Sequence, residues 1–166
     1  MTSSFEVEQL SDKHDISQFN CDQLPLNNWL KSHALRASRQ GTARTVVLVP
    51  RDENRVVGYY SLAPTEVNRV GWPSKAAGGI STIPAYLLAR LALDEQLHGH
   101  GLGARLLAAA LNDVLSASKY ISGRLLVVDA IDECALGFYQ RYGFRHIPNT
   151  MRLFRLVSEI EYSKGS

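Results

Sequence analysis

A chain of 166 residues, 45% of them hydrophobic and carrying a net charge of +2, has the size of one domain that buries its own core without staples. Its two cysteines, Cys21 and Cys134, form neither a metal spacing nor a disulfide framework; they read as packing residues in a reducing cytoplasm. The polar, partly acidic stretch Met1 to Leu10 does not read as a signal peptide, and no apolar run approaches a bilayer span, so the expected location is cytoplasmic with no membrane partner.

Asn27 to Arg39 predicts a helix with Trp29, Leu30, Ala34 and Ala37 on an apolar side, ending near Gly41 and placing Arg36 and Arg39 on one face. Thr45 to Val49 and Arg55 to Ala63 are β-branched and aromatic runs separated by Pro50 to Asn54, a pattern that predicts an antiparallel hairpin. Val70 to Pro84, with three glycines and two prolines, predicts a surface loop. Leu87 to Leu93 forms the next expected strand. Gly101 to Ser118 is expected as a long amphipathic helix with Leu102, Leu106, Leu107, Leu111, Val114 and Leu115 inward. Arg124 to Ala130 is apolar enough for a strand buried on both faces. A short helix from Asp132 to Tyr142, stopped by Gly143, precedes closing strands at Phe144 to Ile147 and Met151 to Val157, with only the last residues frayed. That order makes a mixed α/β sheet and not a doubly wound one.

The charge is segregated. No Asp or Glu occurs from Gln23 to Arg51, where Lys31, Arg36, Arg39, Arg44 and Arg51 lie. A second carboxylate-free tract, Val67 to Leu93, carries Arg69, Lys75 and Arg90, and a third, Cys134 to Ser158, carries Arg141, Arg145, Arg152 and Arg155. Acids gather at Glu6, Glu8, Asp12, Asp15 and Asp22. Brought to one face, the basic tracts would present a surface to a polyanion; left apart, they are scattered solvated charges.

The segment Leu91 to Leu107 carries the chemistry. Its apolar run breaks into a turn with Gly99, Gly101 and Gly103 at alternate positions and then becomes helical. Glycines let the backbone approach an anion, and the helix start directs unpaired N–H groups and its positive dipole end to the same point, which makes a pyrophosphate cradle. A P-loop is excluded, since no Gly-Lys-Ser or Gly-Lys-Thr occurs. A dinucleotide fold remains a rival because Asp129 ends the next strand, although no alternating βαβ series follows. His98 and His100 lack further ligands at metal spacing, so no metal is expected.

His98, Gly99, His100, Gly101, Leu102 and Gly103 resemble the acyl-CoA signature of GCN5-related N-acetyltransferases (GNAT), which runs Arg or Gln, two residues, Gly, one residue, then Gly or Ala. The glycines fit. The first position departs, because His98 is shorter and lacks a permanent charge. A wider set of segments is similar to the TacT-type acetyltransferase toxins of bacterial toxin–antitoxin pairs. These are Phe19 to Asp22, Asn28 to Leu30, Gly41 to Thr45, Val57 to Ala63, Ile83-Pro84, Leu88 to Ala92 and Asp132 to Tyr139. The resemblance implies one GNAT domain over 1–166 of class α/β (α+β), with a single mixed, mainly antiparallel sheet flanked by helices. Acyl-CoA would enter at strands splayed after Leu91 to Leu93. It also implies an enzyme that acetylates the α-amino group of aminoacyl-tRNA from acetyl-CoA without a metal and so inhibits translation. Its partners would be a ribbon-helix-helix antitoxin, operator DNA through the antitoxin complex, and a second copy in a homodimer.

The same resemblance assigns roles. Tyr139 matches the family tyrosine near the CoA sulfur, a general acid for the departing thiolate, with Tyr142 three residues on as backup. Leu91, Ala92 and Leu93 would pair through their peptide groups with the pantetheine arm and supply an oxyanion donor. His98, Gly99, His100, Gly101, Leu102, Gly103 and Ala104 would surround the pyrophosphate, and Phe138, which also reads as a core aromatic, joins Tyr142 beside the cosubstrate. Asp94 and Glu95 read as turn residues and not as a base; an α-amino group titrating near ~8, lowered further by a neighbouring ester, needs little help. Lys31, Arg36, Arg39, Arg44 and Arg90 are candidate tRNA phosphate contacts, with Arg44 and Arg90 equally able to pair with carboxylates of the fold. Two alternatives share the cradle: an ordinary acetyltransferase acting on a small amine or a protein N-terminus, and a non-catalytic CoA-binding or repressor module.

Overall fold

The computed structural model describes residues 4–68 and 81–165. Seven strands, β1 (Phe5–Gln9), β2 (Arg44–Pro50), β3 (Gly58–Asn68), β4 (Thr82–Leu93), β5 (Leu125–Asp129), β6 (Arg145–His146) and β7 (Arg152–Leu156), form one sheet in the order β1-β2-β3-β4-β5-β7-β6. The helices are α1 (Leu24–Ser32), α2 (Ala34–Gln40), α3 (Leu102–Ala117), α4 (Glu133–Arg141) and α5 (Val157–Gly165), with a 3₁₀ turn at Glu95–Leu97. β1–β2, β2–β3, β5–β7 and β6–β7 pair antiparallel and β4–β5 parallel. The sheet is therefore mixed and mainly antiparallel, as the order of elements implies.

The chain divides into two compact units. The first comprises the residues up to Ala63 together with Arg90–Ala110. Its core joins Val47 and Val49 of β2, Tyr59 of β3 and Ala92 of β4 to Leu30 of α1, Ala34 of α2, Phe19 and Cys21. Thr45 through Val49 are all buried, which is why β2 reads as a continuous β-branched run and does not alternate. Tyr59 anchors α1: its hydroxyl donates to the Leu26 carbonyl at 2.7 Å, and its ring stacks on Trp29 with centroids 6.1 Å apart.

The second unit comprises Pro64–Ala89 and Leu111–Ser166. Its core gathers Val67, Ile83, Ala85, Leu125, Val127, Phe154 and Leu156. Here β5 has four consecutive buried residues, Leu125 to Val128.

Several expectations shift. The helix expected over Asn27 to Arg39 is two helices broken at His33, whose φ of −128° leaves the α region; α2 ends as expected at Gly41, φ 74°. β4 begins at Thr82, so the expected loop loses its last residues to a strand, and residues 70–80 of it, like Arg69 and Lys75, lie outside the described residues. Pro84 within it has no N–H to donate, while its carbonyl accepts from the Arg124 N–H at 2.8 Å. The acidic N-terminal stretch is strand β1, paired with the apolar β2 from Phe5↔Pro50 to Gln9↔Val46. Helix α5 follows β7 where a frayed tail is expected. Cys21 packs in the core, but Cys134 is exposed on α4, where no packing role applies.

Candidate active site

The glycine turn is fixed by hydrogen bonds on both sides. Ala92 is buried in the first unit's core, and Leu91 and Leu93, which alternate with it along β4, are half-buried. Asp94 then ties three segments together. Its N–H donates to the Val57 carbonyl at 2.8 Å, one carboxylate oxygen accepts from the Gln96 N–H at 3.1 Å, and the other accepts from the Asn20 N–H at 3.2 Å. Both oxygens are engaged in capping the 3₁₀ turn and holding the Phe19–Asp22 loop, so Asp94 is a structural residue and not a free base. Glu95 is exposed within the turn, and its N–H donates to the Asn20 carbonyl at 2.9 Å.

Gly99 and Gly101 both take positive φ, 85° and 76°. That conformation strains any residue with a Cβ, and the space beside both is open, since a Cβ at either would meet no atom within 4 Å. Helix α3 starts immediately afterwards at Leu102, and its first backbone bond runs from the Arg105 N–H to the Gly101 carbonyl at 3.3 Å. The N–H groups of Leu102, Gly103 and Ala104 therefore have no backbone acceptor among the described residues. Open space, left-handed glycines and free N–H groups at a helix start fit a bound pyrophosphate, the group that acyl-CoA would place there. His98 does not extend toward that space as a donor. Its Nε2 lies 2.8 Å from the Leu93 carbonyl, and because a carbonyl only accepts, Nε2 carries the proton. His100 is exposed in the turn.

The second unit holds the tyrosines. Asp132 caps α4 by accepting from the Ala135 N–H at 2.8 Å, which orients the helix so that Leu136 and Tyr139 face inward. Tyr139 is 5% exposed, with its ring edge-on to Phe138 at 5.3 Å and Phe144 at 5.5 Å. Burial alone pushes its phenol well above the ordinary range, so the proton stays on at neutral pH. Phe138 is half-buried and not the full core aromatic expected, because α4 turns it toward Tyr142, 5.1 Å away. Tyr142 closes α4, is 37% exposed, and gives its carbonyl to Arg155 Nη1 at 3.3 Å.

The five basic candidates all belong to the first unit, and they differ in what already holds them. Lys31 and Arg36 are exposed, Arg36 with an Nη2 2.9 Å from His33 Nδ1. Arg39 forms an exposed ion pair with Asp12 at 2.7 Å. Arg44 spends its guanidinium on the end of α2, donating to the Ser38 carbonyl at 2.7 Å, where the helix dipole is negative. Arg90 pairs with no carboxylate among the described residues; it lies 4.0 Å over the Trp29 ring, half-buried, with burial lowering its affinity for its proton. Trp29, which periodicity assigns only to an apolar helix side, thus also supplies the ring face on which Arg90 rests. In the third basic tract two of the four arginines are paired, Arg152 bidentate to Asp129 at 2.7 and 2.8 Å and Arg145 bonded to Glu159 at 2.6 Å. That pairing commits Asp129, the acid on which a dinucleotide site would depend. Among the described residues no group of three or more His, Cys, Asp or Glu is placed to hold a metal, and no helix is long and apolar enough to cross a membrane.

Comparison with known proteins agrees with this geometry. Residues 43–146 match the acetyltransferase (GNAT) domain family. The chain is 33% identical over 141 residues to the tRNA-acetylating toxin of Mycobacterium tuberculosis strain H37Rv, covering 84% of each chain. It is similar to the crystal structure of a tyrosine-to-phenylalanine mutant of KacT, with a TM-score of 0.91, 32% identity and coverage of 97% and 99%. It is also similar to AtaT complexed with acetyl-methionyl-tRNAfMet, with a TM-score of 0.87, 34% identity and coverage of 96% and 99%. Related structures capture AtaTR with AcCoA, AtaT with the C-terminus of the antitoxin AtaR, and KacTA with DNA. With the family model spanning well over half of the chain and a relative this close over most of it, the chain belongs to the GNAT acetyltransferases, in the branch of the tRNA-acetylating toxins.

Proposed function

We propose that this protein transfers the acetyl group of acetyl-CoA to the α-amino group of aminoacyl-tRNA and thereby stops translation. The observation that carries the reading is the likeness, over nearly the whole chain, to a toxin bound to acetyl-methionyl-tRNA. Acetyl-CoA supplies an activated thioester. The N–H groups from Gly99 to Ala104 hold its pyrophosphate, the peptide groups of Leu91 to Leu93 line its pantetheine arm, and Phe138 and Tyr142 flank it. Tyr139 keeps its proton through burial and presents it to the departing thiolate. The tyrosine-to-phenylalanine mutants of KacT and AtaT support looking for the acid at a tyrosine. No strong base is required, because an α-amino group beside an ester carbonyl is substantially unprotonated near neutral pH. Asp94, with both oxygens engaged, leaves that role empty.

Lys31, Arg36 and Arg90 carry the tRNA phosphates, with Arg39 and Arg44 contributing less because Asp12 and Ser38 already engage them. The protein acts in the cytoplasm as a single-domain chain in a homodimer. A ribbon-helix-helix antitoxin neutralises it, and the complex binds operator DNA, a reading supported by the AtaT–AtaR and KacTA–DNA structures. The test is transfer of labelled acetyl from acetyl-CoA to purified aminoacyl-tRNA, followed by mass analysis of the released amino acid. N-acetylated amino acid with wild type, formed at least about a hundredfold more slowly with Tyr139→Phe, is expected. Robust CoA binding without transfer to any charged tRNA would refute the proposal.

A further inference from the structure

His98, the residue that departs from the Arg or Gln of the acyl-CoA signature, is placed by a bond that the signature does not describe. Its Nε2 lies 2.8 Å from the carbonyl of Leu93, the last residue of β4, and its own carbonyl leads into Gly99 at φ 85°. Between those points the Leu97 N–H donates to the Asp94 carbonyl at 2.9 Å, and the His98 N–H to the Glu95 carbonyl at 3.3 Å. Asp94 fixes the near side of the turn to Val57 and Asn20. The imidazole closes the far side, so strand end, 3₁₀ turn and first glycine form one cross-linked loop. His98 is also exposed; its removal opens no cavity, and the loss falls on this bond.

We infer that His98 is a positioning residue, which locks the glycine turn onto the end of β4 and so preorganises the backbone N–H groups that receive the pyrophosphate of acyl-CoA. The inference rests on the acetyl-CoA reading. A long side chain at this position would reach the anion directly; the shorter ring instead lowers the ordering cost of binding by holding the loop in its receptive shape. The Leu93 carbonyl only accepts, so the bond needs a proton on Nε2, which the neutral ring can carry. The brace therefore requires no charge on the ring, whereas a direct ionic contact would.

Calorimetry with CoA and turnover of two acetyl donors test this: acetyl-CoA, and the acetyl thioester of N-acetylcysteamine, which lacks the pyrophosphate. His98→Ala raises the CoA Kd and the acetyl-CoA KM about three- to tenfold, in line with loss of one hydrogen bond, with kcat and the use of the small thioester within about twofold. His98→Gln, whose amide can donate to the same carbonyl, restores both to within about twofold. A CoA Kd unchanged in His98→Ala overturns the inference alone. So does an equal loss with both donors. Failure of wild type to bind CoA overturns it together with the acetyl-CoA reading.

Discussion

Replacing Gly101 with alanine isolates the backbone cradle from every side-chain contribution. Gly101 sits at φ 76°, and a left-handed conformation costs an L-residue about 1–2 kcal/mol. No atom lies within 4 Å of the new Cβ, so no clash adds to that figure. At about 2–4 °C per kcal/mol for a domain of this size, the melting temperature should fall by about 2–8 °C. If the turn relieves the strain by rotating, the N–H groups that meet the anion leave their positions. Hydrogen bonds to a charged group contribute about 1.5–3 kcal/mol each, and 1.4 kcal/mol is tenfold in affinity, so CoA binding should weaken by about tenfold or more. Gly101→Asn is the control, because asparagine adds the same Cβ yet tolerates the left-handed region. Its stability should lie nearer to wild type, and its affinity reports whether the strain or the added atom does the damage. Differential scanning fluorimetry and calorimetry with CoA read the two quantities separately. A Gly101→Ala protein as stable as wild type, with CoA affinity within about twofold, would refute the cradle.

Tyr139→Phe should lower kcat by about 10²- to 10⁴-fold, the range for a lost general acid, and barely change the melting temperature; a loss under tenfold would move the acid role to another group. Because catalysis needs the protonated phenol and burial raises its pKa, the rate should show no alkaline decline attributable to Tyr139 up to about pH 10, the ordinary phenol value. A wild-type decline centred near pH 8 that Tyr139→Phe abolishes would contradict that sign. Lys31→Ala with Arg36→Ala should reduce the slope of log affinity for tRNA against log salt by about 1.4–1.8, at about 0.7–0.9 per phosphate contact. An unchanged slope would remove both from the interface. Tyr59→Phe removes the hydroxyl's bond to the Leu26 carbonyl and should cost about 0.5–1.5 kcal/mol, seen as a lower denaturation midpoint in urea; no shift would show that the bond adds nothing to stability.

The segments that could be read in advance are those whose signal is local. The helix from Leu102 to Ala117 announces itself by apolar spacing, and α2 by the glycine that stops it. Strand β5 is visible as an uninterrupted apolar run because both of its faces are covered. β1 is hard to see, because its alternation of Phe5 and Val7 with Glu6 and Glu8 is only four residues long and stands in an acidic stretch, and its pairing with β2 makes the stretch a strand. The break at His33 is equally silent, since helical residues flank it on both sides.

Sequence alone determined the glycine turn and the helix it opens, because both are local properties of backbone sterics that need no distant partner. It also marked Tyr139 through the motif around it. Only the tertiary structure decided what the charges do. Arg39, Arg51 and Arg152 stand in carboxylate-free tracts, yet Asp12, Glu6 and Asp129 reach them from other elements. Arg90, equally basic on paper, is the one that folding sets on Trp29. Coulomb and cation–π energies depend on separation in space, at a few ångströms, and chain order does not contain that distance. His98 follows the same rule: its departure from the motif is legible in the sequence, and its bond to the Leu93 carbonyl exists only because the intervening turn brings the two together.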